Sequence, residues 1–132
     1  PLAIERLRRV FAERASFPDT IRAAVTDRVR FATTHPTIVK MVAQEMLLRP
    51  AFRVAVADFF DAQMRPSVAE AFARARQNGE MRDVSDATAL RTIVSLIGGY
   101  IFTRLLFSPE GPRDEAQDID ELTRLILGAL GA

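Results

Sequence analysis

Residues 86–107 read DATALRTIVSLIGGYIFTRLLF, and they are more apolar than one face of a helix requires. Helical spacing puts Leu90, Val94, Ile97, Ile101 and Leu105 on one face, and Ile93, Leu96, Tyr100 and Phe107 on its neighbour. A surface helix ordinarily sets one apolar stripe against one polar face. Here the polar edge is Thr88, Arg91 and Ser95, and beyond Ser95 it gives way to Gly98, Gly99 and Phe102. A helix apolar on two faces needs two burial surfaces. In a chain this small, the second is expected to come from another copy of the protein.

Working outward from this helix, Ser85 or Asp86 caps its start. Ser108-Pro109-Glu110-Gly111-Pro112 ends it. A last helix is expected to open at Asp118, with Glu121 three residues on as a capping box. Ile119, Leu122, Ile126 and Ala129 form its stripe, widened by Leu125 and Leu130. Upstream, residues 2–14 spell an amphipathic helix with Ile4, Leu7 and Phe11 aligned. A second helix follows Ser16-Phe17-Pro18-Asp19 and runs to about Thr33, with Ile21, Val25, Val29 and Ala32 inward and Phe31 off the stripe. Thr34-His35-Pro36 opens a third, to Leu48, since proline suits the first helical position. The fourth begins near Ala51, and Pro66 must kink or break it. Its continuation stops at Asn78-Gly79, a left-handed terminus. No strand alternation or internal repeat appears. The fold class is all-α, a bundle of about six or seven helices in one domain over residues 1–132.

Composition narrows the function. The chain is 132 residues long, 48% apolar and 27% charged, which fits a packed globular domain rather than a disordered one. The net charge of +1 gives no electrostatic case for binding nucleic acid through this domain. Lys40 is the single lysine, and the arginine bias suits a G+C-rich bacterial source. Without cysteine there is no disulfide framework, thiolate metal site or cysteine nucleophile. The longest apolar run, Ile93 to Phe102, is about half the ~20 residues a membrane span needs, and Arg104 follows closely. With no secretory pattern at its start, the chain is expected to be cytoplasmic and not to engage a membrane. It begins at Pro1, so a segment upstream is expected.

Candidate chemistry is sparse. His35 is the one histidine, and no partner stands at ligand spacing, so it reads as a helix-entry residue rather than a metal ligand or general base. Paired Glu-x-x-His motifs and G-x-S-x-G are absent. Asp58 and Asp61 share a face, with Arg65 one turn beyond Asp61 for an i,i+4 pair. Arg6, Arg8, Arg9 and Arg14 are interleaved with Glu5 and Glu13, which reads as a solvated face. The expectation is no catalysis, no metal and no cofactor. The phenylalanines carry more. Phe52, Phe59, Phe60 and Met64 widen the apolar arc of the fourth helix, with Phe31 and Met41 on its neighbours. Such a set can wall a ligand pocket or fill a core.

The order of elements resembles a known family. Thr34-His35-Pro36 leads into a helix carrying Glu45. A long helix ends in Arg76-Gln77-Asn78-Gly79-Glu80-Met81-Arg82, and an acidic cap at residues 83–86 precedes the apolar helix. A Pro/Gly loop and a short closing helix complete it. The whole chain resembles the C-terminal regulatory domain of TetR-family bacterial transcriptional regulators. The resemblance implies a homodimer formed by the helices over residues 86–107 and 118–130, with Leu90, Val94, Ile97, Ile101, Leu105, Leu122, Leu125, Ile126 and Ala129 at the interface. It implies a pocket for a small lipophilic effector among the helices of residues 18–78, walled by Phe31, Met41, Phe52, Phe59, Phe60 and Met64. It further implies that residues 2–14 connect to an N-terminal helix-turn-helix, missing here, through which alone DNA would be bound. The rival expectation is a helical protein-interaction module without a ligand pocket.

Overall fold

A computed structural model describes residues 2–13, 15–107 and 114–132. Among them the chain forms seven helices: α1 (Leu2–Ala12), α2 (Phe17–Thr34), α3 (Pro36–Leu48), α4 (Pro50–Gln63), α5 (Arg65–Gln77), α6 (Asp86–Leu106) and α7 (Glu115–Leu130). No strand occurs among the described residues; an isolated antiparallel bridge joins Met81 to Gly131. The all-α expectation holds.

α2 is the central element. Ser16 caps it, its hydroxyl accepting from the Asp19 amide at 3.3 Å, and Pro18 sits in the first turn, where no donor is needed. Ile21, Val25 and Val29 are fully buried along its inner stripe. Its most extensive packing is against α7, then α1, and it also touches α6. Phe11 from α1, Phe72 from α5, Ile93 and Ile97 from α6 and Ile126 from α7 close the core around it. At the surface, Arg22 reaches Asp120 of α7 at 2.8 Å, and this guanidinium holds the Asp120 carboxyl below the usual carboxylate range.

Pro66 breaks the fourth helix rather than kinking it. Met64 joins the two helices with its φ drawn out to −112° while ψ stays at −39°, within the right-handed helical region, and Pro66 takes a first-turn position of α5, where no backbone donor is needed. The Met64 side chain is 2% exposed, so burial pins the joint. α5 ends in a Schellman motif. Glu80 N donates to Ala75 O at 2.8 Å and Gly79 N to Arg76 O at 3.1 Å. Gly79 has φ +70°, the left-handed conformation that glycine adopts without penalty.

The residues after that stop bind three helix ends together. Glu80 accepts the Phe17 amide at 3.2 Å, at the start of α2. Met81 is buried. Arg82 N donates to Leu130 O at 2.7 Å, and its guanidinium reaches Gly131 O at 3.0 Å, neutralising unpaired carbonyls at the end of α7. The Arg76–Arg82 segment is thus a structural clasp.

Two boundaries differ from expectation. α7 opens at Glu115, capped by Asp114, whose carboxylate accepts from Gln117 N at 3.0 Å. Asp118 lies a turn inside, where its carboxylate accepts the Tyr100 hydroxyl at 2.6 Å, so Asp118 and Glu121 form no capping box. The first helix ends at Ala12 rather than Arg14. Arg14 and the Ser108–Pro112 breaker lie outside the described residues.

Candidate ligand groove and dimerisation face

α6 shows how the surplus apolar surface is distributed. Ser85 caps it, accepting from Thr88 N at 3.1 Å. Ala89, Ile93 and Ile97 face the core. Tyr100 fastens its middle to α7. The phenol donates to Asp118 and accepts from Arg104 Nη1 at 3.3 Å. Burial, and then the hydrogen bond to the carboxylate, raise the Tyr100 pKa above its ordinary value. The opposite side of α6 is exposed along Arg91, Val94, Ser95, Gly98, Phe102 and Leu106, one helical stripe. That stripe continues the polar edge recognised in the sequence, and past Ser95 it is small or apolar. By length and composition α6 could cross a membrane, and only 17% of its apolar window is buried within the chain.

α7 repeats the pattern. Ile119, Leu122, Thr123, Ile126 and Leu130 are buried, while Leu125, Gly128 and Ala129 are exposed. The nine interface candidates therefore divide. Ile97, Leu122 and Ile126 are enclosed in the single chain; Leu90, Ile101 and Leu105 are half-buried; Val94, Leu125 and Ala129 face outward. A Cβ added at Gly98, Gly99 or Gly128 would meet nothing within 4 Å, so packing within the chain does not require these glycines.

α3 and α4 form an arm. Neither has a fully buried residue. They pack on each other, with α3 leaning on α2 and α4 on α5. Arg53 secures the arm by donating to Met46 O at 2.7 Å, and Arg49 pairs with Glu45 at 2.7 Å. The six pocket candidates are spread over this arm and its base. Met41 is 57% and Phe59 38% exposed, and Phe52 is half-buried. Phe31 lies 5.1 Å from the His35 ring and under Arg28. Met64 is a core residue, and Phe60 packs on the core from outside. Phe60 also borders a space of about 110 Å³ with Arg65, Asp86 and Leu90. The six do not surround one cavity.

A larger apolar space lies elsewhere. Val39, Lys40, Ala43, Gln44, Leu47 and Leu48 of α3 face Phe102, Leu105 and Leu106 of α6 across an open groove of about 310 Å³. That is at the low end of small-molecule sites, ~300–1,000 Å³. Of these residues only Leu105 is among the site candidates of the sequence, and there as part of the dimer interface. The signal was available in Leu47-Leu48 at the end of α3, and in Phe102 and Leu106, apolar residues outside the stripe that α6 turns to the core.

No model of a known protein family matches this chain, and no curated protein matches it. Function must therefore be argued from chemistry. Among the described residues no cluster of three or more His, Cys, Asp or Glu side chains could hold a metal. Asp61 pairs with Arg65 at 2.6 Å, as its i,i+4 spacing foretold. Arg8 pairs with Glu5. Asp58 is exposed on α4.

Proposed function

We propose that this chain is a ligand-sensing and dimerisation domain of a TetR-like transcriptional regulator. The observation that carries it is the outward stripe of α6, where Val94, Phe102 and Leu106, each about half exposed, flank Ser95, Gly98 and Gly99, and a Cβ at either glycine would meet nothing within 4 Å. Small residues between large apolar ones let a partner helix approach closely. A second copy supplies the same stripe across a two-fold axis, the commonest way soluble chains pair. The adjoining α7 favours protein over lipid as the cover, because Glu121 and Arg124 stand beside Leu125 on its exposed side. The open α3–α6 groove supports the sensing half of the proposal. It meets the dimer stripe at Phe102 and Leu106, so a ligand there would touch residues near the pairing surface. A ligand shifts such an equilibrium only by its difference in affinity for the two states.

Under this proposal α1 transmits the shift to a helix-turn-helix outside these residues, which alone contacts DNA. The domain is cytoplasmic, needs no cofactor and performs no catalysis. The test is sedimentation of the chain at tens of micromolar, paired with a thermal-shift screen of apolar compounds. A dimer stabilised by some of them is expected. A monomer, or sequence-specific DNA binding by these residues alone, would sink the proposal. The exposed α3–α4 arm favours one rival, a helical module that binds another protein through that arm. Such a module gives no stabilisation by small apolar compounds.

A further inference from the structure

Lys40 is the only lysine of the chain, and it lines the apolar groove between α3 and α6, at the α3 end opposite Leu47 and Leu48. It lies one helical turn before Gln44, which also lines the groove, while Leu47 and Leu48 close the far end. Among the described residues no ion pair or hydrogen bond engages the Lys40 ammonium. This separates it from most of the arginines near the arm: Arg49 pairs with Glu45, Arg53 caps α3, and Arg65 pairs with Asp61. The groove walls are two helices. From Val39 to Leu48 the α3 wall rises ~14 Å at ~1.5 Å per residue, about the length of a medium alkyl chain.

We propose that the groove binds a fatty acid of medium chain length, with its carboxylate at Lys40 and its tail running toward Leu47 and Leu48. The ammonium donates a charge-assisted hydrogen bond to the carboxylate, and the Gln44 amide is a second donor one turn on. The tail lies between Leu47 on one side and Phe102 and Leu106 on the other. A trough lined by one cation and one amide, with hydrocarbon elsewhere, discriminates twice. It rejects cations and short acids, and it prefers an acid over the alcohol of equal length. Each methylene buried along the walls should tighten binding by about fourfold until the groove is filled. This inference rests on the ligand-sensing proposal and gives it a chemical class.

Titration calorimetry of the full 132-residue chain with dodecanoate, dodecanol and dodecyltrimethylammonium, each below its micelle concentration, tests it. Dodecanoate should bind at least about tenfold tighter than dodecanol, a difference of ~1.4 kcal/mol, with the ammonium compound weakest. Lys40→Met should erase the preference for the acid while leaving the melting temperature unchanged. Lys40→Arg should restore much of it, and Phe102→Ala should weaken acid and alcohol alike. Equal binding of acid and alcohol, indifferent to Lys40→Met, overturns the anion assignment and leaves ligand sensing standing. Failure of all three probes, together with no stabilisation by any unrelated apolar compound, overturns both.

Discussion

Replacing Leu125 by Glu should separate the two copies while leaving each folded, and replacing Ile97 by Glu should unfold the chain. The two residues lie on helices that pack together, but in opposite surroundings. Leu125 is 64% exposed in the single chain and Ile97 7%. Burying a leucine fully contributes about 1.5–3 kcal/mol, so covering the exposed two-thirds of Leu125 contributes about 1–2 kcal/mol. A two-fold interface contains the residue twice, which makes ~2–4 kcal/mol per dimer, or ~30- to 1,000-fold in dissociation constant. Glutamate adds the cost of desolvating a charge at the joint, so the larger figure is the better guide. At Ile97 the carboxylate would be enclosed by the core with no partner, at a cost of several kcal/mol against a total stability of ~5–15 kcal/mol. Sedimentation velocity from about 1 to about 100 µM reads the first effect, and far-UV circular dichroism melting reads the second. A Leu125→Glu chain that remains dimeric at wild-type strength refutes the assigned face. So does an Ile97→Glu chain that melts normally as a monomer, since that would put Ile97 at the interface instead of the core.

Two further perturbations probe the scaffold. Gly79→Ala forces a Cβ into the left-handed conformation at φ +70° and should lower stability by about 1–2 kcal/mol in thermal unfolding, even though the side chain would meet no neighbour. Tyr100→Phe removes the hydroxyl that Asp118 accepts at 2.6 Å and should cost about 1–2 kcal/mol at neutral pH. The same hydroxyl makes the wild type sensitive to alkali. Its pKa is raised in the folded state above the ordinary value of 10.0, so its contribution is complete below that pH. It then fades as pH rises toward the folded value. The Tyr100→Phe chain should lose less stability over that range in denaturant titrations.

Local chemistry made most of the helix boundaries legible. Ser16, Pro36, Gly79 and Ser85 each act on backbone groups within a turn of themselves, so their effect does not depend on distant residues. The start of α7 escaped for a reason of the same kind. Asp114 and Asp118 are both competent caps, and the choice between them is linked to a distant contact, because Tyr100 of α6 engages the Asp118 carboxylate. The Arg76–Arg82 motif was visible as a string, but its work was not. Glu80 and Arg82 meet the start of α2 and the end of α7, which lie far away in sequence.

The faces of α6 mark the division most clearly. By itself the sequence determined that residues 86–106 form a helix with more apolar surface than one core can use, because periodicity and capping are properties of the chain near each residue. Only the tertiary structure decided which surface is the surplus. α2 and α7 enclose Ile93 and Ile97, leaving Val94, Phe102 and Leu106 outside. The groove has the same origin. Leu47 and Phe102 are unremarkable apolar residues in their own helices, and they become two walls of one site only because the fold sets α3 beside the end of α6.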